Sequence, residues 1–216
     1  HEPGDLCTQM MLSTVKIAHP SSTGAALVLE ETANSDGEPP RFVLVTAEHA
    51  LSRVKADQVT LHLRKRSPEG GYAKLEMKLP IRRDEKPLWT KHPSADVAAI
   101  RLALPPEAAV PGVPLKLLAT QEQWRRYEIH PGDTIRSIGF PHGDTFQPNE
   151  AGFGIMRTGC IASYPLLPAK KAPRFFVDVN TFAGDSGGPV FLRQTDRFYQ
   201  GKNQPGRVEL ILGLMS

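Results

Sequence analysis

The sequence predicts an all-β fold, and three observations carry that prediction. Short apolar runs rich in β-branched residues recur along the 216 residues, each of strand length and too short for a helix. Turn formers punctuate them, with 18 Gly and 20 Pro numerous enough to interrupt any long helix. Helical periodicity is nearly absent. Strands are expected at 13–18, 24–30, 41–47, 58–63, 72–79 and 97–103, then at 133–139, 152–163, 174–179, 188–193 and 207–215. The best helical candidate is the segment 120–128, and it is short. Between the two strand groups runs a Pro-rich crossover, Leu104-Pro105-Pro106 through Pro111-Gly112-Val113-Pro114, expected to lack the N–H donors of a ladder.

Composition narrows the function without naming it. A chain of this length suits one large β domain or two small ones. The net charge of +3 is too small to point to a polyanion. Arg64-Lys65-Arg66, after the alternating Val59-Thr60-Leu61-His62-Leu63, reads as a solvated strand end, and Lys170-Lys171 reads as a loop. No aromatic residues interleave with either cluster, so nucleic acid is not expected as a partner. No run approaches the ~18 apolar residues of a membrane span. The chain begins at His1 without Met, so a signal peptide or another upstream segment is expected to have been removed or left out.

Chemistry concentrates at residues 184–189, Gly-Asp-Ser-Gly-Gly-Pro. Glycines around a Ser allow the tight turn and positive φ that expose a hydroxyl. The same turn can aim backbone N–H groups at one point beyond Ser186, which is what acyl transfer requires. Such a nucleophile demands a base and an orienting acid. His49 ends the apolar run at 43–50, Val-Leu-Val-Thr-Ala-Glu-His-Ala, as if delivered by a buried strand to its edge. Asp96 heads another such run in 94–102, Ser-Ala-Asp-Val-Ala-Ala-Ile-Arg-Leu, flanked by Ala95, Val97 and Ala98.

With these three motifs the chain resembles the trypsin/chymotrypsin-like serine proteases, on their bacterial side. Thr-Ala-Glu-His stands where that family has Thr-Ala-Ala-His, and Asp-Val-Ala-Ala-Ile where it has Asp-Ile-Ala-Leu-Leu. Asp96 follows His49 by 47 residues and precedes Ser186 by 90, close to the family's spacings of about 45 and about 93. Gly139-Phe140-Pro141-His142-Gly143 is similar to a turn of the bacterial members, and His142 is read as a loop residue.

The resemblance implies two six-stranded antiparallel β-barrels with the active site in the cleft between them. The first barrel, 1–104, would carry His49 and Asp96. After a linker at 105–118, the second, 119–216, would carry Ser186. It implies a triad of His49, Asp96 and Ser186, an oxyanion hole from the N–H groups of Gly184 and Ser186, a protein or peptide substrate, and no metal or organic cofactor. It also implies a disulfide between Cys7 and Cys160, the only two cysteines, and with it an exported, periplasmic or extracellular location. Asn180, Thr181 and Ser216 would line the substrate pocket. Asn180 brings no charge to balance a buried cation, and Leu214 and Met215 stand where Glu-cutting relatives have a His. A neutral preference follows.

Two departures stand beside the match. Asp185 is present, yet residues 1–4, His-Glu-Pro-Gly, lack the branched apolar terminus whose ammonium pairs with that Asp in proteolytically activated members. Only 30 residues follow Ser186, so the last part of the second barrel is expected to be missing, through trimming, disorder or a further domain downstream. Three functions are weighed on this basis: an endopeptidase, a catalytically silent binding module, and an ester-cleaving acyl hydrolase.

Overall fold

Residues 25–29, Ala-Ala-Leu-Val-Leu, are apolar without alternation, the pattern of a strand covered on both faces. They form the middle of β2, Ser22–Glu31, where every residue from Gly24 to Leu29 is buried. The structure, a computed structural model, describes residues 5–31, 40–143 and 150–216. Ahead of β2 come a helix α1, Leu6–Ser13, capped by Asp5, and β1, Thr14–His19. Then follow β3, Arg41–Thr46, a short helix α2, Glu48–Ser52, and the long pair β4, Gln58–Arg66, and β5, Tyr72–Pro80. Three two-residue strands, β6 at Arg82–Arg83, β7 at Lys86–Pro87 and β8 at Thr90–Lys91, lead to β9, Ala98–Leu102. Together these build a sheet in the order β5-β4-β1-β2-β3-β9-β8, with β6 and β7 paired only to each other.

The second sheet, β13-β12-β11-β14-β15, comes from the second half of the chain. Its strands are β11, Thr134–Gly139, β12, Ile155–Ile161, β13, Val177–Asp178, β14, Pro189–Tyr199, and β15, Lys202–Leu214. Helix α3, Gln121–Arg126, opens with a full capping box between Thr120 and Gln123. The fold is all-β and chymotrypsin-like in its two sheets, and neither sheet closes into a barrel.

Alternate residues of β2 enter two different cores. Ala26 and Val28 face the core of the first sheet with Ile17, Leu44, Leu61 and Ile100. Leu27 and Leu29 face the opposite way, onto Met10 of α1 and Ile138, Phe191 and Ile211 of the second sheet. This shared layer joins the halves, and the linker helps it. Val113 and Pro114, expected to lack a ladder, form β10 and pair in parallel with Leu29 and Glu30. The remaining core of the second sheet gathers around Trp124, Ile135, Val190 and Leu210.

Buried cations provide the other surprises. Arg64 is fully buried, not part of a solvated strand end. Its guanidinium donates to the carbonyls of Leu12 at 2.8 Å and Thr14 at 2.6 Å and lies 4.7 Å from the Phe153 ring centroid. Burial pushes its pKa down to about 10. Arg197 makes a two-pronged pair with Asp133, at 2.7 and 2.6 Å. That pair anchors a hairpin of β14 and β15 much longer than the sequence suggested. The hairpin stays paired outward to Tyr199 and Lys202.

The two faces of β2 yield a direct test. Leu27→Ala should leave a cavity between the sheets and cost about 2–5 kcal/mol, measured by urea unfolding. A cost below about 0.5 kcal/mol would show that this layer does not hold the halves together.

Candidate active site

β3 ends at Thr46 and the chain turns at Ala47, so His49 lies in the first turn of α2 and not at a strand edge. The first N–H groups of a helix have no partner within it. The His49 N–H donates to Asp96 Oδ1 at 3.0 Å, and its Nδ1–H donates to Asp96 Oδ2 at 2.6 Å. One carboxylate therefore fixes both the backbone and the ring of His49, and Nε2 is left as the acceptor. Burial acts to raise the Asp96 pKa. The hydrogen bonds from the His49 ring and backbone, the imidazole charge and the Ser216 hydroxyl outweigh it, and the carboxyl is held below its ordinary value.

The loop that presents Asp96 is organised by another imidazole. His92 Nδ1 accepts from the N–H groups of Ser94 and Ala95 at 3.2 and 3.0 Å, and the His92 N–H donates to Val97 O at 2.9 Å. Accepting at Nδ1 requires the neutral tautomer protonated at Nε2. Sequence reasoning gave no signal for this residue, since a His ahead of a turn looks like any surface His.

Ser186 sits on a turn held from three sides. Its carbonyl accepts from the Ala25 N–H of β2 at 2.8 Å, Gly187 N–H donates to Met215 O at 2.7 Å, and Met215 N–H donates to Gly188 O at 2.8 Å. Gly187, at φ +87°, packs so tightly on the Ala25 carbonyl and the Thr46 hydroxyl that no Cβ fits. A Cβ on Gly24 would lie 3.1 Å from the Ser186 carbonyl and 3.2 Å from Ala50 Cβ, so the nucleophile turn and α2 close on one point. Ser186 Oγ makes no hydrogen bond to His49 among the described residues. Gly184 takes φ +101°. Among the described residues, neither the Gly184 nor the Ser186 N–H donates to a backbone carbonyl.

Asp185 does find a partner. Arg157 of β12 donates from Nη2 to Oδ1 at 2.5 Å, and the Phe182 N–H donates to Oδ2 at 2.7 Å. The pair is inside, with the side chains 15% and 4% exposed. Asp185 is thus paired with a guanidinium supplied from within the second sheet. Arg157 was legible only as a cation inside an otherwise uncharged strand, Ile-Met-Arg-Thr-Gly-Cys-Ile.

Other expected residues fall elsewhere. Cys7 on α1 and Cys160 on β12 are free thiols and form no disulfide. Cys7 packs against the core around Met10 and Ile138, whereas Cys160 sits on β12, paired with Thr134 and Asp178. The argument for export that leaned on this bridge goes with it. Ser216 lines a cavity of about 350 Å³ together with Asp96, Phe175 and Leu214, and it acts on Asp96 itself. Asn180 and Thr181 are exposed and are not among the residues lining that cavity. Residues 1–4 lie outside the described part. Among the described residues no cluster of His, Cys, Asp and Glu is placed to hold a metal, and no helix is long and apolar enough to cross a membrane.

Two open β-sheets joined through a shared layer, with a His–Asp pair on one and a Gly-Asp-Ser-Gly-Gly turn on the other, define the chymotrypsin-like class. The chain belongs to the trypsin-like peptidase domain family, which it matches over residues 24–198. A search of curated proteins finds no match. Among solved structures it is similar to the Rv3671c protease in an inactive form, at 19% identity and TM-score 0.48, covering 91% of this chain and 77% of that one. A serine-to-alanine inactive form of Rv3671c from M. tuberculosis H37Rv matches at 17% identity and TM-score 0.48, covering 97% and 85%. An inactivated protease paralogue of the scabies mite matches at 14% identity and TM-score 0.46, covering 90% and 80%.

Two outcomes follow from the carboxylates. Arg157→Met leaves Asp185 buried and unpaired, which should cost about 3–5 kcal/mol in urea unfolding; a loss under about 1 kcal/mol would mean the pair does not hold the turn. A depressed carboxyl stabilises the fold above its ordinary value of about 3.9, and the contribution disappears as pH falls through the folded value. The stability gap between the wild type and Asp96→Asn should therefore shrink as pH falls below the ordinary value of about 3.9, and a gap that stayed constant would contradict the coupling.

Proposed function

We propose that this protein is a serine endopeptidase, with Ser186 as nucleophile, His49 as base and Asp96 as its orienting acid. The observation that carries the reading is the double grip of Asp96 on His49 beside a nucleophile turn locked to the same strand pair. His49 Nε2, the free acceptor, takes the Ser186 Oγ proton as Oγ attacks the scissile carbonyl, and returns it to the leaving amine. Asp96 stabilises the imidazolium without taking the proton. The Gly184 and Ser186 N–H groups receive the oxyanion, each such donor being worth about 3–4 kcal/mol in the transition state. Water then frees the acyl group by the same route in reverse.

The substrate is a protein or peptide, cut after a neutral residue, because the cavity beside Asp96 is walled by Phe175, Leu212 and Leu214, while Asn180, exposed outside it, brings no charge. One observation favours a second reading, a silent binding module: the missing hydrogen bond between Ser186 Oγ and His49. In active enzymes that bond can tighten only when substrate arrives.

A fluorophosphonate probe separates the two readings. The protein should be labelled, Ser186→Ala should not, and His49→Ala should lose about as much reactivity as Ser186→Ala because the members act as a unit. Absence of labelling in the wild type would favour the binding module. In the active protein a peptide-library profile dominated by Arg, Lys or Glu would overturn the neutral assignment.

A further inference from the structure

The first sheet has a seam. β5 pairs with β4 along its whole length and, among the described residues, with no strand on its other side. β9 pairs with β3, and β8 covers only Ala98 and Ala99 on the far edge, leaving residues 100–102 open there. The two open edges face a common cavity of about 730 Å³. Its apolar lining includes Met77 and Leu79 of β5 and Ile100 of β9. An unpaired edge displays backbone donors and acceptors and can template a further strand.

Charge tells what that strand would be. Lys78, Arg83 and Arg101 line the cavity, and among the described residues no carboxylate does. Lys78 Nζ donates to Thr60 Oγ1 at 2.7 Å, and none of the three cations is in an ion pair among the described residues. Three charges of one sign around one groove favour an anion there over a cation or a neutral chain. Strand addition takes its affinity from main-chain bonds and its selectivity from alternate side chains.

We propose that the seam between β5 and β9 binds an extended acidic peptide. The peptide enters as a strand and sets carboxylates against Lys78, Arg83 and Arg101 while its apolar residues cover Met77, Leu79 and Ile100. This site is independent of the Ser186 chemistry.

The test uses the full chain carrying Ser186→Ala, so that nothing is cut, and a fluorescein-labelled octapeptide alternating Val with Glu, followed by anisotropy. Binding should be saturable, weaken with added salt, and weaken about tenfold or more when Gln replaces Glu. Arg83→Gln and Arg101→Gln should each weaken it several-fold, with urea unfolding confirming that both variants are folded. Methylating the backbone nitrogens of alternate residues should weaken it about tenfold, because one row of donors is lost. Hydrogen exchange should slow at residues 76–80 and 99–103 in the complex. Undiminished binding of the methylated peptide overturns the strand addition. Equal affinity for an oligodeoxythymidylate of the same charge shows mere polyanion attraction and overturns the peptide assignment. No binding at about 1 mM peptide overturns the site altogether.

Discussion

Everything about the site depends on how close the nucleophile turn can come to β2 and the end of β3. The contact is made by backbone, and it is possible because Gly24 and Gly187 have no side chains. Gly187 rests on the Ala25 carbonyl and the Thr46 hydroxyl, and that hydroxyl in turn donates to the same carbonyl at 2.7 Å. Ala25 N–H bonds the carbonyl of Ser186 itself. A methyl at Gly187 would meet two oxygen atoms at impossible range, in a backbone region where side chains are already disfavoured. The Ser of one sheet is thereby tied to the residues that launch His49 from the other. Small shifts between the sheets would be transmitted directly to the distance between Ser186 and His49.

The layer beneath this contact is what makes such a joint stiff. β2 contributes its odd-numbered leucines to one core and Ala26 and Val28 to another, so neither sheet can slide without unpacking both. Close-packed interiors transmit strain instead of absorbing it. The linker between the halves is itself held down where β10 pairs with β2 in a hydrogen-bonded ladder. Function at a sheet–sheet boundary demands this, because half of the chemistry is on each side.

Legibility in the sequence tracked how local each feature is. The hexapeptide at 184–189, the apolar run before His49 and the run after Asp96 are local patterns, and they pointed to His49 and Asp96, which the fold pairs, and to the Ser186 turn, which closes on β2 next to α2. The strands were legible for the same reason, since alternation and β-branching act within a few residues. What could not be read depends on contacts distant in sequence. Arg64 looks like any member of a basic trio until Leu12 and Thr14 offer it carbonyls from 50 residues away. Arg157 declares itself only once Asp185 folds against it. The α1 helix was missed because its residues have no strong periodicity and are fixed by Asp5 and by packing on β2. The expected disulfide failed for the complementary reason. Resemblance suggested a pair, but only the register of β12 determines how far Cys160 sits from α1.

Two carboxylates do parallel work on opposite sides of the cleft. Asp96 takes a backbone N–H with one oxygen and an imidazole N–H with the other. Asp185 takes the Phe182 N–H with one oxygen and the Arg157 guanidinium with the other. Each ties its turn down with both oxygens of a single side chain, and charge-assisted bonds of this kind are about twice as strong as neutral ones. The difference lies in the partner. In the proposed reaction the imidazole changes its protonation, and the Asp96 beside it is left partly exposed. Guanidinium never gives up its proton under ordinary conditions, so Asp185 can be almost wholly buried and the turn it holds can be permanent. A terminal ammonium in that place would make the turn conditional on a cleavage event. Arg157, supplied from within a strand, makes it conditional on folding alone.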